Sequence, residues 1–208
     1  MFIVVEGPEG AGKTTLVRWL AARLLAEGRP VVTVREPGGT PVAEAARKIA
    51  LKSQHDLSPA VELFLILAAR ADLVARVIRP ALAGGQLVLA DRFELSTRCY
   101  QVAGRGLPAD AVDAALQLAT GGLVPDLTLV LDVPVDVGRE RLRRARKEPD
   151  RLERLDDAFH RRVLEAYRRA AGAGVVHIDA TGSKTAVQDA AWRTIGAAAL
   201  QLRVGGES

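Results

Sequence analysis

Residues 2–15 restrict what this chain can fold into more than any other stretch. The apolar run Phe2-Ile3-Val4-Val5 leads into Gly7-Pro8-Glu9-Gly10-Ala11-Gly12-Lys13-Thr14-Thr15, and a helical pattern opens immediately afterwards. A buried strand, a glycine-rich turn and a helix in that order fit the phosphate-binding loop G-x-x-x-x-G-K-T, with Gly7, Gly12, Lys13 and Thr14 in register. Glycine at 7, 10 and 12 lets successive backbone N–H groups turn inward around a polyphosphate. The spacing puts Lys13 at the β- and γ-phosphates and the Thr14 hydroxyl at Mg2+. The helix starting there points its positive dipole end at the same anion. The competing reading, a glycine-rich turn in a packed domain, accounts for neither the flanking strand and helix nor Lys13.

Apolar runs of strand length recur at residues 31–34, 86–90, 127–132 and 175–178, and their Val/Ile/Leu content is nearly continuous, as in parallel strands covered on both faces. Between them helical patterns span residues 13–26, 41–52, 59–83, 94–119, 135–170 with an interruption, and 184–203. Such alternation predicts an α/β fold with a parallel sheet of about five strands and helices on both sides. Its ligand crevice lies at the carboxyl ends of the strands. The residues following each strand are Glu9 in the loop, Arg35-Glu36-Pro37-Gly38-Gly39-Thr40, Asp91-Arg92-Phe93 with Ser96-Thr97 and Tyr100-Gln101, Asp132, and Asp179. Singly, Asp132 and Asp179 read equally well as helix caps, Pro37-Gly38-Gly39 as a turn, and Asp91-Arg92 as an ion pair. Together they gather polar and charged groups on the one rim where this fold binds a ligand.

The length of 208 residues suits one domain, and 49% hydrophobic with 26% charged residues reads as globular. No membrane-length apolar run and no signal-peptide pattern is present, and Cys99 stands alone, so a cytoplasmic location is expected. The net charge of +4 does not require nucleic acid: 24 of the 29 basic residues are Arg, which grips a small phosphorylated ligand in a bidentate fork as readily as it grips DNA. The dense basic run from Arg139 to Arg154 is broken at Pro149-Asp150. One reading is a solvated helix face; the other is a lid at about residues 141–154 that brings guanidinium groups onto transferring phosphates and excludes water.

The stretches F-I-V-V-E-G-P-E-G-A-G-K-T-T, T-V-R-E-P-G-G-T-P, V-L-A-D-R-F, S-T-R-C-Y-Q and P-D-L-T-L-V-L-D-V resemble, in this order, the thymidylate kinase family in its bacterial form. The resemblance implies a P-loop nucleoside-monophosphate-kinase-like three-layer fold with an Arg-rich lid, transfer of the ATP γ-phosphoryl group to dTMP with Mg2+, and a homodimer. It carries ATP binding onto Gly7, Pro8, Glu9, Gly10, Ala11, Gly12, Lys13, Thr14 and Thr15, and the metal onto Thr14 and, through water, Asp91. Glu9 resembles the residue facing the acceptor 3′-hydroxyl, and Arg35, Arg47 and Arg92 those holding the acceptor phosphate. Asp91 is expected to organise Arg92 and the hydrated metal. Arg70, Ser96, Thr97 and Gln101 match positions near the base, and Tyr100 one beside the deoxyribose. Catalysis falls to Lys13, Asp91, Arg92, Glu9 and lid arginines drawn from Arg143, Arg144, Arg146 and Arg151.

One position departs from the family pattern. Ile66 stands where an aromatic residue stacks on thymine, and Phe64, two residues away on a helix, is expected in the core. Losing the aromatic contact removes about 1 kcal/mol, so weaker dTMP affinity or a relaxed base choice is expected. The alternatives are a related nucleoside monophosphate kinase of different base preference, or a P-loop protein that binds nucleotide without transfer. His55, His160 and His177 form no recognisable triad or metal set, and Cys99 reads as a small buried residue.

Overall fold

A computed structural model describes residues 1–144 and 150–205, with side chains described through residue 199. Five parallel strands form one sheet: β1 (Phe2–Glu6), β2 (Val31–Arg35), β3 (Leu87–Asp91), β4 (Leu127–Asp132) and β5 (Val175–Asp179), in the order β2-β3-β1-β4-β5. The predicted strands stand, with shifts of at most one residue at an end. Side chains alternate between two apolar layers. Ile3 and Val5 pack with Leu16, Leu20, Leu24 and Leu129 on one face, while Phe2 and Val4 pack with Leu73, Ile78 and Val88 on the other. Burial on both faces explains the unbroken apolar runs, at roughly 1.5–3 kcal/mol per large side chain. The chain leaves β1 toward β2 on one side and later passes from β3 to β4 on the other, so the carboxyl end of β1 lies at the switch point.

The helices are α1 (Lys13–Ala26), α2 (Pro41–Lys52), α3 (Pro59–Leu73), α4 (Arg79–Ala83), α5 (Glu94–Thr97), α6 (Ala109–Thr120), α7 (Val135–Arg144), α8 (Asp157–Arg168) and α9 (Lys184–Gly205). Local chemistry sets several starts. The Thr40 and Ser58 hydroxyls accept from the amides of Ala43 and Val61, each followed by proline in the first helical position, and Asp156 accepts from the Phe159 amide. α1 differs: Gly12 precedes it at φ 97° with no side-chain cap, leaving its first amides open to a ligand. Across the outer layer, Trp19 of α1 and Trp192 of α9 meet edge to face with centroids 6.3 Å apart, and Arg23 lies over the Trp192 ring.

Two expected helices are not continuous. Residues 59–83 pass through a π-helical turn at Val74–Ile78 between α3 and α4. Residues 94–119 divide into α5, a π-helical segment Arg98–Gly104, and α6. Gly106 at φ 76° and Pro108 explain the second break, since neither favours a helix interior. Phe64 is not in the core: it is 64% exposed, because Ile66 and Arg70, four residues apart, turn the inward face of α3 toward the rim of the sheet. Asp132 and Asp179 cap no helix; Asp132 meets His177 Nδ1 at 2.8 Å, and Asp179 accepts from the amide and hydroxyl of Thr181. Of the segment expected to form a lid, Arg146, Lys147 and Pro149 lie outside the described residues. Among those described, no helix is long and apolar enough to cross a membrane.

Candidate active site

A cleft of ≈ 740 Å³ opens at the carboxyl ends of the strands, with the loop Glu9–Thr15 on one side and Arg35, Arg47, Ile66, Arg70, Arg92, Tyr100 and Gln101 on the other. On the loop side, Lys13 Nζ donates to the carbonyls of Gly7 (2.9 Å) and Pro8 (2.8 Å), which holds the ammonium against the loop backbone. Burial, with the neighbouring Arg92 adding to it, brings the Lys13 pKa down to about 8. The Thr14 hydroxyl donates to Asp91 Oδ2 at 2.5 Å, placing a hydroxyl and a carboxylate oxygen side by side at the loop.

Arg92 occupies the left-handed region at φ 78°, which turns its side chain back across the end of β1. Its guanidinium donates to Glu9 Oε1 (2.5 Å), Ser96 Oγ (3.0 Å), the hydroxyls of Tyr167 (3.0 Å) and Tyr100 (3.2 Å), and the Gly7 carbonyl (3.3 Å). Tyr100 also donates to Glu9 at 2.9 Å, and its ring lies under Arg92. Burial opposes the Arg92 charge, but Glu9, the two tyrosine hydroxyls and Glu6 together outweigh it and raise the pKa further above the usual arginine value. Arg92 is therefore organised by Glu9 and three hydroxyls; Asp91 is turned to Thr14 instead, and no Asp91–Arg92 ion pair occurs among the described residues. Beneath this cluster, buried Glu6 accepts from the amides of Phe93 and Ser96, the Ser96 hydroxyl and the Tyr167 hydroxyl. Burial pushes both tyrosines up, so they remain phenols and donors.

On the far wall, Arg70 is 1% exposed and bonds to Glu36 Oε2 through Nε at 2.7 Å, to Thr97 Oγ1 at 2.9 Å and to the Phe93 carbonyl at 3.0 Å. Burial raises the Glu36 pKa, and Glu36 Oε1 is buried without a partner among the described residues. Ile66 is 7% exposed and lines the cleft, forming an apolar wall near Arg70. Gln101 Nε2 donates to Glu62 Oε1 at 2.9 Å. Arg47 donates to the Pro37 carbonyl at 2.7 Å, and burial together with Arg35 lowers its pKa; Arg35 is paired with Glu44 at 2.7 Å.

The arginines of the expected lid segment are divided. Arg143 and Arg144 both pair back onto Glu140, and Arg151 binds Glu62 and the Ala50 carbonyl. Arg141 instead lines the cleft and donates to the Ala180 carbonyl at 2.9 Å. Below them, the start of α7 is pressed on the loop: a Cβ at Gly138 would stand 2.6 Å from the Glu9 carbonyl, and one at Gly10 would collide with Gly138. Sequence reasoning did not single out Glu6, Glu62, Tyr167 or Arg141 as site residues. Glu6 closes β1, and Glu62, Tyr167 and Arg141 sit on helices, where nothing in the pattern separates them from surface or core positions.

A phosphate-loop motif and an arginine-lined wall share one cleft at the switch point of a parallel sheet, the arrangement of a P-loop phosphotransferase of the nucleoside-monophosphate-kinase type. The sequence profile of the thymidylate kinase family matches residues 5–191. A thymidylate kinase of Pseudomonas putida (strain W619) is 51% identical over 172 residues, covering 82% of this chain and 83% of the relative. Those of Thermomicrobium roseum (47% over 197 residues, 93% of each chain) and Deinococcus radiodurans (42% over 198 residues, 94% and 96%) match nearly end to end. The chain belongs to the thymidylate kinase family.

Proposed function

We infer that the chain catalyses transfer of the γ-phosphoryl group of ATP to dTMP, giving ADP and dTDP. One observation carries this beyond family membership: the cleft unites Lys13 and the open α1 terminus with Arg35, Arg47, Arg70, Arg92 and Gln101, so two nucleotides fit head to head. In-line transfer breaks the bond from the γ-phosphorus to the ADP oxygen and forms one to an acceptor phosphate oxygen, so no nucleophilic side chain is needed. Lys13 and the loop amides hold the donor phosphates, while Arg92 with Arg35 and Arg47 holds the acceptor phosphate against the repulsion of the donor. Glu9 locks Arg92 from one side and leaves its carboxylate beside the acceptor sugar; Tyr100 supplies the steric wall against a 2′-hydroxyl.

Thr14 and Asp91 are hard oxygen donors side by side, and no cluster of three or more His, Cys, Asp or Glu occurs among the described residues. That donor set suits Mg2+, which completes its shell with water and substrate phosphates rather than a protein cage. Bound there, Mg2+ would supply neutralisation of phosphate charge. The lid arginines are assigned to closure over the phosphates, with Arg146 among them. The 208 residues are read as one kinase domain with that lid, acting in the cytoplasm. A homodimer is supported by an exposed apolar surface across three helices: Val42 and Ile49 of α2, Val61 and Phe64 of α3, and Leu118 of α6.

Ile66 on the cleft wall favours a second reading, the same transfer with relaxed base choice. ADP release measured with dTMP, dUMP, UMP, CMP and AMP as acceptors decides. Preference for dTMP is expected; equal rates with all five refute the assignment of the base.

A further inference from the structure

Glu62 is fully buried on α3, yet it carries a charge that nothing in the transfer chemistry uses. Burial works against that charge, but hydrogen bonds from Arg105, Gln101 and Arg151 outweigh it and hold the carboxyl below the usual carboxylate range. An ionised carboxylate only accepts hydrogen bonds. Its contact with Gln101, 2.9 Å from Glu62 Oε1, therefore fixes which way the Gln101 amide points: the NH₂ faces Glu62 and the carbonyl Oε1 is left for the cleft. Gln101 is 1% exposed and lines the cleft. Its Oε1 has no protein partner among the described residues, and it is not one of the sealed, unpartnered oxygens.

The orientation has a chemical meaning. Thymine and uracil present an N3–H donor between two carbonyls, whereas cytosine presents a bare N3 acceptor beside an NH₂ donor. A carbonyl aimed into the cleft accepts from the first edge and faces a lone pair on the second. Turning the amide over would suit cytosine, but it would set the Gln101 carbonyl against the Glu62 carboxylate with no proton between them. A charge-assisted hydrogen bond that biases one orientation is worth roughly ten- to a hundredfold in an equilibrium. We propose that Glu62 is a specificity-positioning residue: by holding the Gln101 amide carbonyl-inward, it commits the acceptor site to bases with an imide N–H and excludes cytosine. The inference rests on Gln101 facing the base, as in the acceptor reading above. Arg105 and Arg151 keep Glu62 ionised, and Arg151 ties the same carboxylate to the last residues of the proposed lid segment.

The test compares kcat/KM for dTMP and dCMP, measured on one preparation so that the ratio is independent of the folded fraction. Glu62→Gln keeps shape but offers an amide that can face either end of Gln101. The expected result is a fall in the dTMP:dCMP ratio of about tenfold or more, carried by a higher KM for dTMP with kcat little changed. Leu116→Ala loosens the packing of α6 on α3 but removes no group bonded to Glu62, so the wild-type ratio is expected with a lower melting temperature. An unchanged ratio in Glu62→Gln, or an equal fall in Leu116→Ala, overturns the proposal. If Gln101→Ala keeps the wild-type ratio, Gln101 does not read the base and the proposal falls with that assignment, while phosphorylation of dTMP still stands. Should Glu62→Gln fail to fold, the wild-type protein decides: the Gln101 side-chain amide protons, assigned by ¹⁵N NMR, must exchange with water far more slowly than those of an exposed glutamine, and free exchange overturns the proposal.

Discussion

Replacing Gly138 by alanine sets two effects of opposite sign against each other. In a helix interior alanine is favoured over glycine by about 1 kcal/mol, so propensity alone predicts a more stable α7. Against that, the new Cβ would stand 2.6 Å from the Glu9 carbonyl, where ordinary contact begins at 3.4 Å. The loop or the helix must yield by about 0.8 Å, and overpacking of this kind costs about 1–3 kcal/mol. The steric term wins, leaving a net loss of about 1 kcal/mol and a melting temperature lower by roughly 2–4 °C. Activity suffers more than stability, because the carbonyl pushed aside belongs to the residue whose carboxylate holds Arg92 and Tyr100. A displacement approaching 1 Å at reacting groups costs up to about a hundredfold. A coupled ADP-release assay with dTMP should therefore show kcat/KM reduced ten- to a hundredfold, with circular-dichroism melts recording the small loss of stability. A variant that melts higher than wild type and keeps kcat/KM within about twofold would show that α7 does not bear on the loop.

Lys13→Met should lower turnover by about two to three orders of magnitude while the melting temperature holds, since it removes a charge aimed at phosphate and leaves a side chain of similar length; near-normal turnover would dismiss the loop as the donor site. Lys13 also sets a pH dependence: with its pKa at about 8 in the free protein and raised by bound phosphate, ATP affinity is full below pH 8 and is lost as pH rises through it. The KM for ATP should accordingly be flat below pH 8 and rise by up to about tenfold per unit above it, a rise absent in Lys13→Met. Ile66→Phe should lower the KM for dTMP by about fivefold through stacking worth about 1 kcal/mol, read from the same assay. Phe64→Asp, at an exposed position, should leave the monomer fold intact but shift the mass seen by light scattering to that of one chain, and an unchanged dimer would place the interface elsewhere.

The framework was legible because it rests on local chemistry. Unbroken apolar runs marked strands buried on both faces, and the helical patterns opening at residues 41 and 59 begin where Thr40 and Ser58 cap the first turns. The loop and the rim at Arg35 and Arg92 followed from the rule that ligands bind at carboxyl ends of strands. What escaped was whatever depends on register between distant elements. The π-helical segment that carries Tyr100 and Gln101 leaves no periodic trace, so residues 94–119 read as one helix. Phe64 was assigned to the core because its two-residue offset from Ile66 turns it to another helix face, yet that face of α3 is the exposed one and the inward face carries Ile66 and Arg70. Glu62 and Glu6 look like solvent-facing acids in the sequence, and only partners 39 and 90 residues away explain their burial.

The edge-to-face pair of Trp19 and Trp192 gives the protein a built-in optical probe. These are the two tryptophans of the chain, so indole emission arises wholly from the seam between α1, whose first turn forms part of the phosphate loop, and α9, whose Lys184 and Gln188 border the cleft. The acceptor wall contains no tryptophan. Emission should therefore respond to occupation of the donor half and stay silent to the acceptor half, which allows the order of nucleotide binding to be followed by stopped flow without a label.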